Sequence, residues 1–173
     1  MSIEGAIKVL NDLVRHKLLE SYALGGAMGA AFYMEPMVTY DLDVLCTMPG
    51  AADASALIDL GPLYANLKGR GHLPKAEHVV IEGIPVQFLP AHSALLKEAV
   101  AKAAAKKVGA SRTRVITPEF LIAIMLSVGR AKDKLRAAAM LEQAALDDEA
   151  LKKIIARHGL SAQWKTLQAM RKP

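Results

Sequence analysis

Asp41 and Asp43 stand one residue apart in "VTYDLDVLCT", a run otherwise dominated by apolar and β-branched residues. An unpaired carboxylate in a buried strand is expensive, so either a cation meets the pair or the strand is exposed. Read as strand residues, they share one face, with Cα atoms about 6.5 Å apart at ~3.3 Å rise per residue. Carboxylates so placed can share a divalent cation. Mg2+ suits them, with Mn2+ as the alternative, because such an ion takes one or two carboxylates and fills its remaining positions with water and substrate phosphate. Upstream, Gly25-Gly26 precedes the short segment "AMGAAFYM". Glycines let backbone amides approach a ligand, and a helix N-terminus favours anions. One element would then hold phosphate and the other the metal.

These residues need elements to position them. Ser2 is placed to cap a first helix whose apolar stripe is Ile3, Ile7, Leu10, Leu13, Val14 and Leu18. "SYALGG" reads as a short strand, "AMGAAFYM" as a short helix stopped by Pro36, and "TYDLDVLCTM" as a strand. "PGAADASALIDLGPLYANLKGRGH" reads as a helix with loops at both ends. "EHVVIEGIPVQFLP" reads as a hairpin about Glu82-Gly83. "SALLKEAVAKAAAKK" is a strong helix former, and "TRVIT" a further short strand. Thr117-Pro118-Glu119 opens a run of helices broken at Gly129 and Gly159. The expected fold is α+β, a small mixed sheet flanked by helices with a helical C-terminal region. The expected division is a core over 1–116 and a helical region over 117–173.

The chain has 173 residues, 53% hydrophobic and 23% charged, which suits a folded domain rather than a disordered one. No run reaches the roughly 18 consecutive apolar residues of a membrane span. The N-terminal stretch reads as a helix rather than a signal peptide, so the expected location is cytoplasmic, without a membrane partner. Cys46 is the only cysteine and reads as a small buried thiol. The net charge of +5 is unevenly placed, with a basic segment from Lys97 to Arg114. That segment reads either as a phosphate-attracting patch or as a solvated helix face. Ser111-Arg112-Thr113-Arg114 reads as an RNA-phosphate contact or a solvated loop. The five histidines show no metal-ligand spacing and read as surface or structural residues.

"GGAMGAAFYMEPMVTYDLDVL" resembles the core of the nucleotidyltransferase-fold superfamily. It is especially similar to the minimal nucleotidyltransferases and to the AbiEii-type toxins of bacterial toxin–antitoxin systems. Gly25, Gly26, Pro36, Thr39, Asp41, Leu42 and Asp43 match the motif as they stand. "GIPVQFLP" resembles the third-strand segment, and "ITPEFLIAIMLSVGRAKDKL" the segment opening the helical tail. The resemblance implies transfer of a nucleoside monophosphate from an NTP to a hydroxyl of RNA (tRNA included), protein or a small molecule. It also implies a cognate antitoxin as partner. Asp41 and Asp43 would bind Mg2+, Gly25, Gly26 and Arg130 or Lys132 would hold the triphosphate, and Thr39 would contact phosphate or end the preceding loop.

Several positions depart from the pattern. Gln87 stands where the resemblance implies an acid serving as third metal ligand and base. Glutamine can offer a carbonyl oxygen but accepts no proton at neutral pH. Glu77 and Glu82 are the neighbouring acids that could replace it. Met37 and Met125 stand where basic residues are common, and Arg136 where an acid is common, while Lys132-Asp133 forms the expected pair. Two readings follow: an active transferase, or a nucleotide- or partner-binding module of the same fold.

Overall fold

Ser2 caps α1 (Ile3–Arg15), its hydroxyl accepting from the Gly5 amide at 3.0 Å. Of the expected stripe, Ile7, Leu10 and Leu13 are fully inaccessible together with Ala6, Ile3 and Val14 are partly buried, and Leu18 lies beyond the helix end. The computed structural model describes residues 2–50 and 59–170. After α1 come β1 (Ser21–Leu24), α2 (Gly26–Ala30), β2 (Leu42–Thr47) and α3 (Gly61–Gly69). The strands β3 (Pro74–Lys75), β4 (His78–Ile81) and β5 (Ile84–Pro90) follow, then α4 (Ala94–Ala101), β6 (Ala104–Val108) and β7 (Ser111–Val115). The chain ends in α5 (Pro118–Val128), α6 (Ala131–Gln143), α7 (Asp148–Arg157) and α8 (Ser161–Met170).

The strands form one seven-stranded mixed sheet in the order β3-β4-β5-β2-β1-β7-β6. β2 lies antiparallel to β1 and parallel to β5, and β1 lies parallel to β7. The architecture is α+β, a mixed sheet flanked by helices, as expected. Side chains alternate across the sheet. Leu42, Val44 and Cys46 of β2 join α1 and α3 in one apolar cluster. Leu45 faces the other way and joins a second cluster built largely from α4 to α8, with Trp164 of α8 packed at its margin. Asp43 shares the side of Leu45, so the last helices pack on the face that carries it.

The expected hairpin is present. Glu82 and Gly83 both take positive φ, 51° and 79°, the mark of a tight two-residue turn whose twist matches the strands it joins. The helices of the tail also end where expected, α5 at Gly129 with φ 73°.

Other expectations are corrected. The helix read over "SALLKEAVAKAAAKK" stops at Ala101, and Ala104–Val108 is a strand. Alanine and lysine favour helix, but pairing along β7 overrides that preference. Arg114 reinforces the stop by donating to the carbonyls of Val100, Ala101 and Ala103 at 2.8, 3.1 and 3.4 Å. Ser111-Arg112-Thr113-Arg114 is therefore strand rather than loop, with Ser111 and Thr113 buried. The segment from Lys97 to Arg114 is not one helix face: it runs through a helix and a strand hairpin, and Lys106 sits over the Tyr33 ring at 4.9 Å. β3 was not expected. Of the helix read after Pro49, Gly61–Gly69 is present, and positions 51–58 lie outside the described residues. Strand β2 begins at Leu42, so Asp41 immediately precedes it instead of lying within it. Among the described residues no helix is long and apolar enough to cross a membrane.

Cys46 is fully inaccessible, and burial pushes its thiol up to about 12. Thiolate is the reactive form, so at pH 8 the native protein should react with a thiol reagent about a thousandfold more slowly than the unfolded chain. Absorbance-monitored titration in the presence and absence of denaturant measures this, and comparable rates in both would show that β2 is not enclosed.

Candidate active site

Asp43 is carried by β2, one residue after a strand start that points Leu42 into the α1 side of the core. Across the parallel ladder it pairs with Gln87 of β5. Val79 of β4 pairs with Val86, so the same ladder extended by one residue brings His78 beside Gln87. Asp43, Gln87 and His78 thus form a row across three adjacent strands on one face. Asp41 stands just ahead of the row, its Oδ2 3.7 Å from His78 Nε2.

The row forms part of the lining of a cleft of about 940 Å3. Other walls are the loop at Val38–Asp41, the β3–β4 turn at Lys75–Glu77, one side of α5 and the start of α6. Gly26, Ala27, Thr39, Arg130, Lys132 and Arg136 all face this space. The described structure therefore brings Asp41, Asp43, Gln87, Gly26, Thr39, Arg130 and Lys132 to one cleft. Gly25 acts from behind it, donating its amide to the Asp43 carbonyl at 2.9 Å.

The two glycines answer different neighbours, the second of them Asp43. Gly26 has φ +57°, and a Cβ built there would lie 1.6 Å from Asp43 Oδ2. The Asp43 carboxylate occupies the space a side chain would need. A Cβ on Gly25 would lie 2.5 Å from the Leu45 Cδ1 methyl. Helix α2 is only five residues long, so its dipole is small.

The two carboxylates differ electrostatically. The Thr39 hydroxyl donates to Asp41 Oδ1 at 2.7 Å and holds that carboxyl below its ordinary value, helped by His78. Thr39 thus acts on Asp41 rather than merely ending a loop. Burial raises the Asp43 carboxyl, and the charge of Asp41 raises it further, against the opposing fields of Arg136, Arg130 and His78. An additional cation would relieve this repulsion.

Three side chains depart from their expected roles. The pair expected between Lys132 and Asp133 is instead Arg130–Asp133: Nε donates to Oδ2 at 2.7 Å and Nη2 to Oδ1 at 3.3 Å. Asp133 lies three residues after Arg130, the spacing that places both on one helix side, whereas adjacent positions diverge. His78, read as a surface or structural residue, lines the cleft, and its Nε2 is buried without a hydrogen bond among the described residues. Arg136 is the same case at Nε. A buried donor left unsatisfied costs about 1–3 kcal/mol, so both nitrogens mark a polar site rather than a settled core. The spacing Arg130, Asp133, Arg136 was readable as one helical stripe. His78 required the strand register. Of the two acids read as replacements for Gln87, Glu77 lines the cleft, whereas Glu82 packs beside Gly5 of α1.

No protein-family model matches the chain, and no curated protein matches it. Among solved structures it is similar to ANT(2″)-Ia in complex with adenylyl-2″-tobramycin, with a TM-score of 0.52 and 14% identity over 92% of this chain and 98% of that one. It is likewise similar to the solution structure of ANT(2″)-Ia, an antibiotic-resistance factor, with a TM-score of 0.52 and 14% identity over 95% and 94% of the two chains. An antigenic nucleotidyltransferase-like protein from Paracoccidioides brasiliensis gives a TM-score of 0.53 and 13% identity, again over 95% and 94%. The fold is the nucleotidyltransferase fold. In this version of it, the glycine pair seats an aspartate against backbone where a side chain would otherwise stand.

Gly26→Ala is expected to lower stability by about 2–3 kcal/mol, combining left-handed strain with displacement of Asp43. Gly25→Ala has ordinary φ and meets only a terminal methyl, so about 1 kcal/mol is expected there. Urea unfolding of both variants measures the difference, and equal losses would refute the seat assigned to Asp43.

Proposed function

We propose that this protein transfers a nucleoside monophosphate from an NTP to a hydroxyl acceptor. The observation supporting this most is the arrangement of the cleft. Two carboxylates stand on the sheet side, Arg130, Lys132 and Arg136 stand on the helix side, and the fold is shared with nucleotidyltransferases. In the transfer, the acceptor oxygen bonds to the α-phosphorus, the bond to the β-phosphate oxygen breaks, and pyrophosphate leaves. The hydroxyl proton passes to a base, for which Glu77 and His78 are the side chains at hand.

The donor set fits a divalent cation. Asp41 and Asp43 supply two hard oxygen donors, and Gln87 sits in register beside Asp43 with a carbonyl oxygen to offer. Among the described residues no group of three or more His, Cys, Asp or Glu converges as a metal cage. A site with two carboxylates and space left for water and phosphate suits Mg2+, or Mn2+, better than a metal demanding a full protein shell. Bound there, the ion would supply charge neutralisation at the reacting phosphate. Thr39 keeps Asp41 ionised and oriented, and Gly25 and Gly26 hold Asp43 at the edge of the space the phosphates would enter.

For the acceptor, the reading covers an RNA end such as that of tRNA, a protein hydroxyl, or a small hydroxylated molecule of the kind bound by ANT(2″)-Ia. A toxin–antitoxin role with a cognate antitoxin follows from the resemblance to AbiEii-type toxins and stands or falls with it, and a cytoplasmic location is the reading of the N-terminal stretch as a helix rather than a signal peptide. We also read 117–173 as a helical region packed on a core over 1–116. A second reading, a nucleotide- or partner-binding module with little turnover, is favoured by one observation: the side chain in register with Asp43 is the neutral Gln87.

With α-labelled NTP, Mg2+ and a panel of RNA, protein and small-molecule acceptors, label is expected in an acceptor. Asp41→Asn and Asp43→Asn should each lower transfer about 100-fold or more, removal of divalent metal by chelation should stop it, and Gln87→Asp should raise it. Transfer that survives both asparagine substitutions would remove the basis for the proposal. Nucleotide binding without transfer to any acceptor would select the second reading.

A further inference from the structure

Arg130 and Lys132 are the cations that the motif comparison points to for the triphosphate. The described structure distinguishes them from a third. Arg130 spends two of its donors on Asp133, and its side chain is 60% exposed. Asp133 itself is 3% exposed, so this pair is anchored in the body of α6. Lys132 is exposed at the cleft margin. Arg136 differs from both. It is half-buried, lines the cleft, and forms no hydrogen bond or ion pair among the described residues, and its Nε is fully enclosed without a partner.

The placement follows from helix geometry. Arg130, Asp133 and Arg136 recur at a spacing of three along the start of α6, which keeps them on one side. Asp133 turns inward and fixes the first arginine, and the second follows nearly two turns on, half-buried where the first is exposed. It lines the same cleft as Asp43. A guanidinium cannot lose its charge, and it presents a rigid fork of donors matched to paired phosphate oxygens. Among the described residues its enclosed Nε has no acceptor, so a donor of that fork is open to an anion entering the cleft.

We infer that Arg136 is the principal phosphate-binding residue of the cleft, its guanidinium engaging the polyphosphate of the nucleotide deep in the site beside Asp43, with Arg130, held by Asp133, as the outer contact. This rests on the nucleotidyl-transfer reading for the identity of the ligand, but it does not require turnover. It assigns to Arg136 a role that the motif comparison does not give it. It also makes Asp133 a positioning residue for Arg130.

The test uses inorganic triphosphate with Mg2+, which removes any dependence on the base, measured by isothermal titration calorimetry on the full chain. The wild type is expected to bind, and Arg136→Gln to bind about tenfold more weakly or worse, since charge-assisted forked hydrogen bonds to phosphate are among the stronger polar contacts. Arg136→Lys, which keeps the charge and loses the fork, should fall between them. Lys152→Gln, the same loss of charge on the exposed side of α7, should match the wild type. Affinity of Arg136→Gln within fivefold of the wild type, or no binding of triphosphate by the wild type, would overturn the inference. If Arg136→Gln does not fold by circular dichroism, Arg136→Lys decides, and wild-type affinity in that variant counts against the forked contact. Loss of binding in the Arg136 variants together with no label transfer by the wild type would leave this inference standing while refuting the transferase reading.

Discussion

The contact between Asp43 and Gly26 is the constraint on which the rest of the cleft depends. A carboxylate lies where the Cβ of residue 26 would be, and the Gly25 amide donates to the Asp43 carbonyl. Together these fix the end of β1 against the start of β2. The short helix α2 must therefore leave directly from the glycine pair, because any side chain at position 26 would displace the acid. The loop that returns to β2 then delivers Thr39 and Asp41 to the same place, with the Thr39 hydroxyl bonded to Asp41. One steric condition thus couples two strands, a helix and the two acids.

The sheet order carries the consequence outward. β2 sits beside β5 in parallel, so residues facing the cleft line up across the strands, Asp43 with Gln87 and His78 alongside. The opposite faces of the same strands pack against α1 and α3. The acids are consequently held by a surface whose other side is a closed apolar core. A packed backing of this kind keeps two like charges near one another; burial first, and then the charge of Asp41, raises the Asp43 carboxyl, while the Thr39 hydroxyl lowers that of Asp41.

Much of this was legible in the sequence, for identifiable reasons. The acids, the glycine pair, the hairpin at Glu82-Gly83 and the breaks at Gly129 and Gly159 each depend on local chemistry, and local chemistry is written in short spans. The failures turn on which neighbour a residue meets, not on its own type. "AKAAAKK" favours a helix by itself, and only pairing with Ser111–Val115 makes its second half a strand. His78 looks like an isolated histidine until the register of β4 on β5 places it beside Gln87. The pairing of Lys132 with Asp133 followed adjacency, although the helix puts Arg130 in contact instead. In the first two cases the deciding term is pairing between adjacent strands of a hairpin, and in the third it is the i,i+3 spacing of a helix start, neither of which residue-by-residue propensity or adjacency conveys.

The cleft is also divided by charge in a way that restricts what can fill it. Asp41 and Asp43 belong to the sheet wall, and Arg130, Lys132 and Arg136 to the wall made by the start of α6. The two sets do not close on each other by hydrogen bonds: Asp41 bonds to Thr39, Arg130 to Asp133, and the buried Nε of Arg136 has no partner among the described residues. An apolar ligand would leave both walls unsatisfied. A simple anion would answer the helix wall and be repelled by the sheet wall, and a simple cation would do the reverse. A polyanion carrying its own divalent cation would meet both: Asp41 and Asp43 would hold the cation, and the guanidinium groups would answer the phosphate oxygens. The separation of the walls, more than any single residue, is what favours the metal-bound polyphosphate that we propose as the ligand of this site.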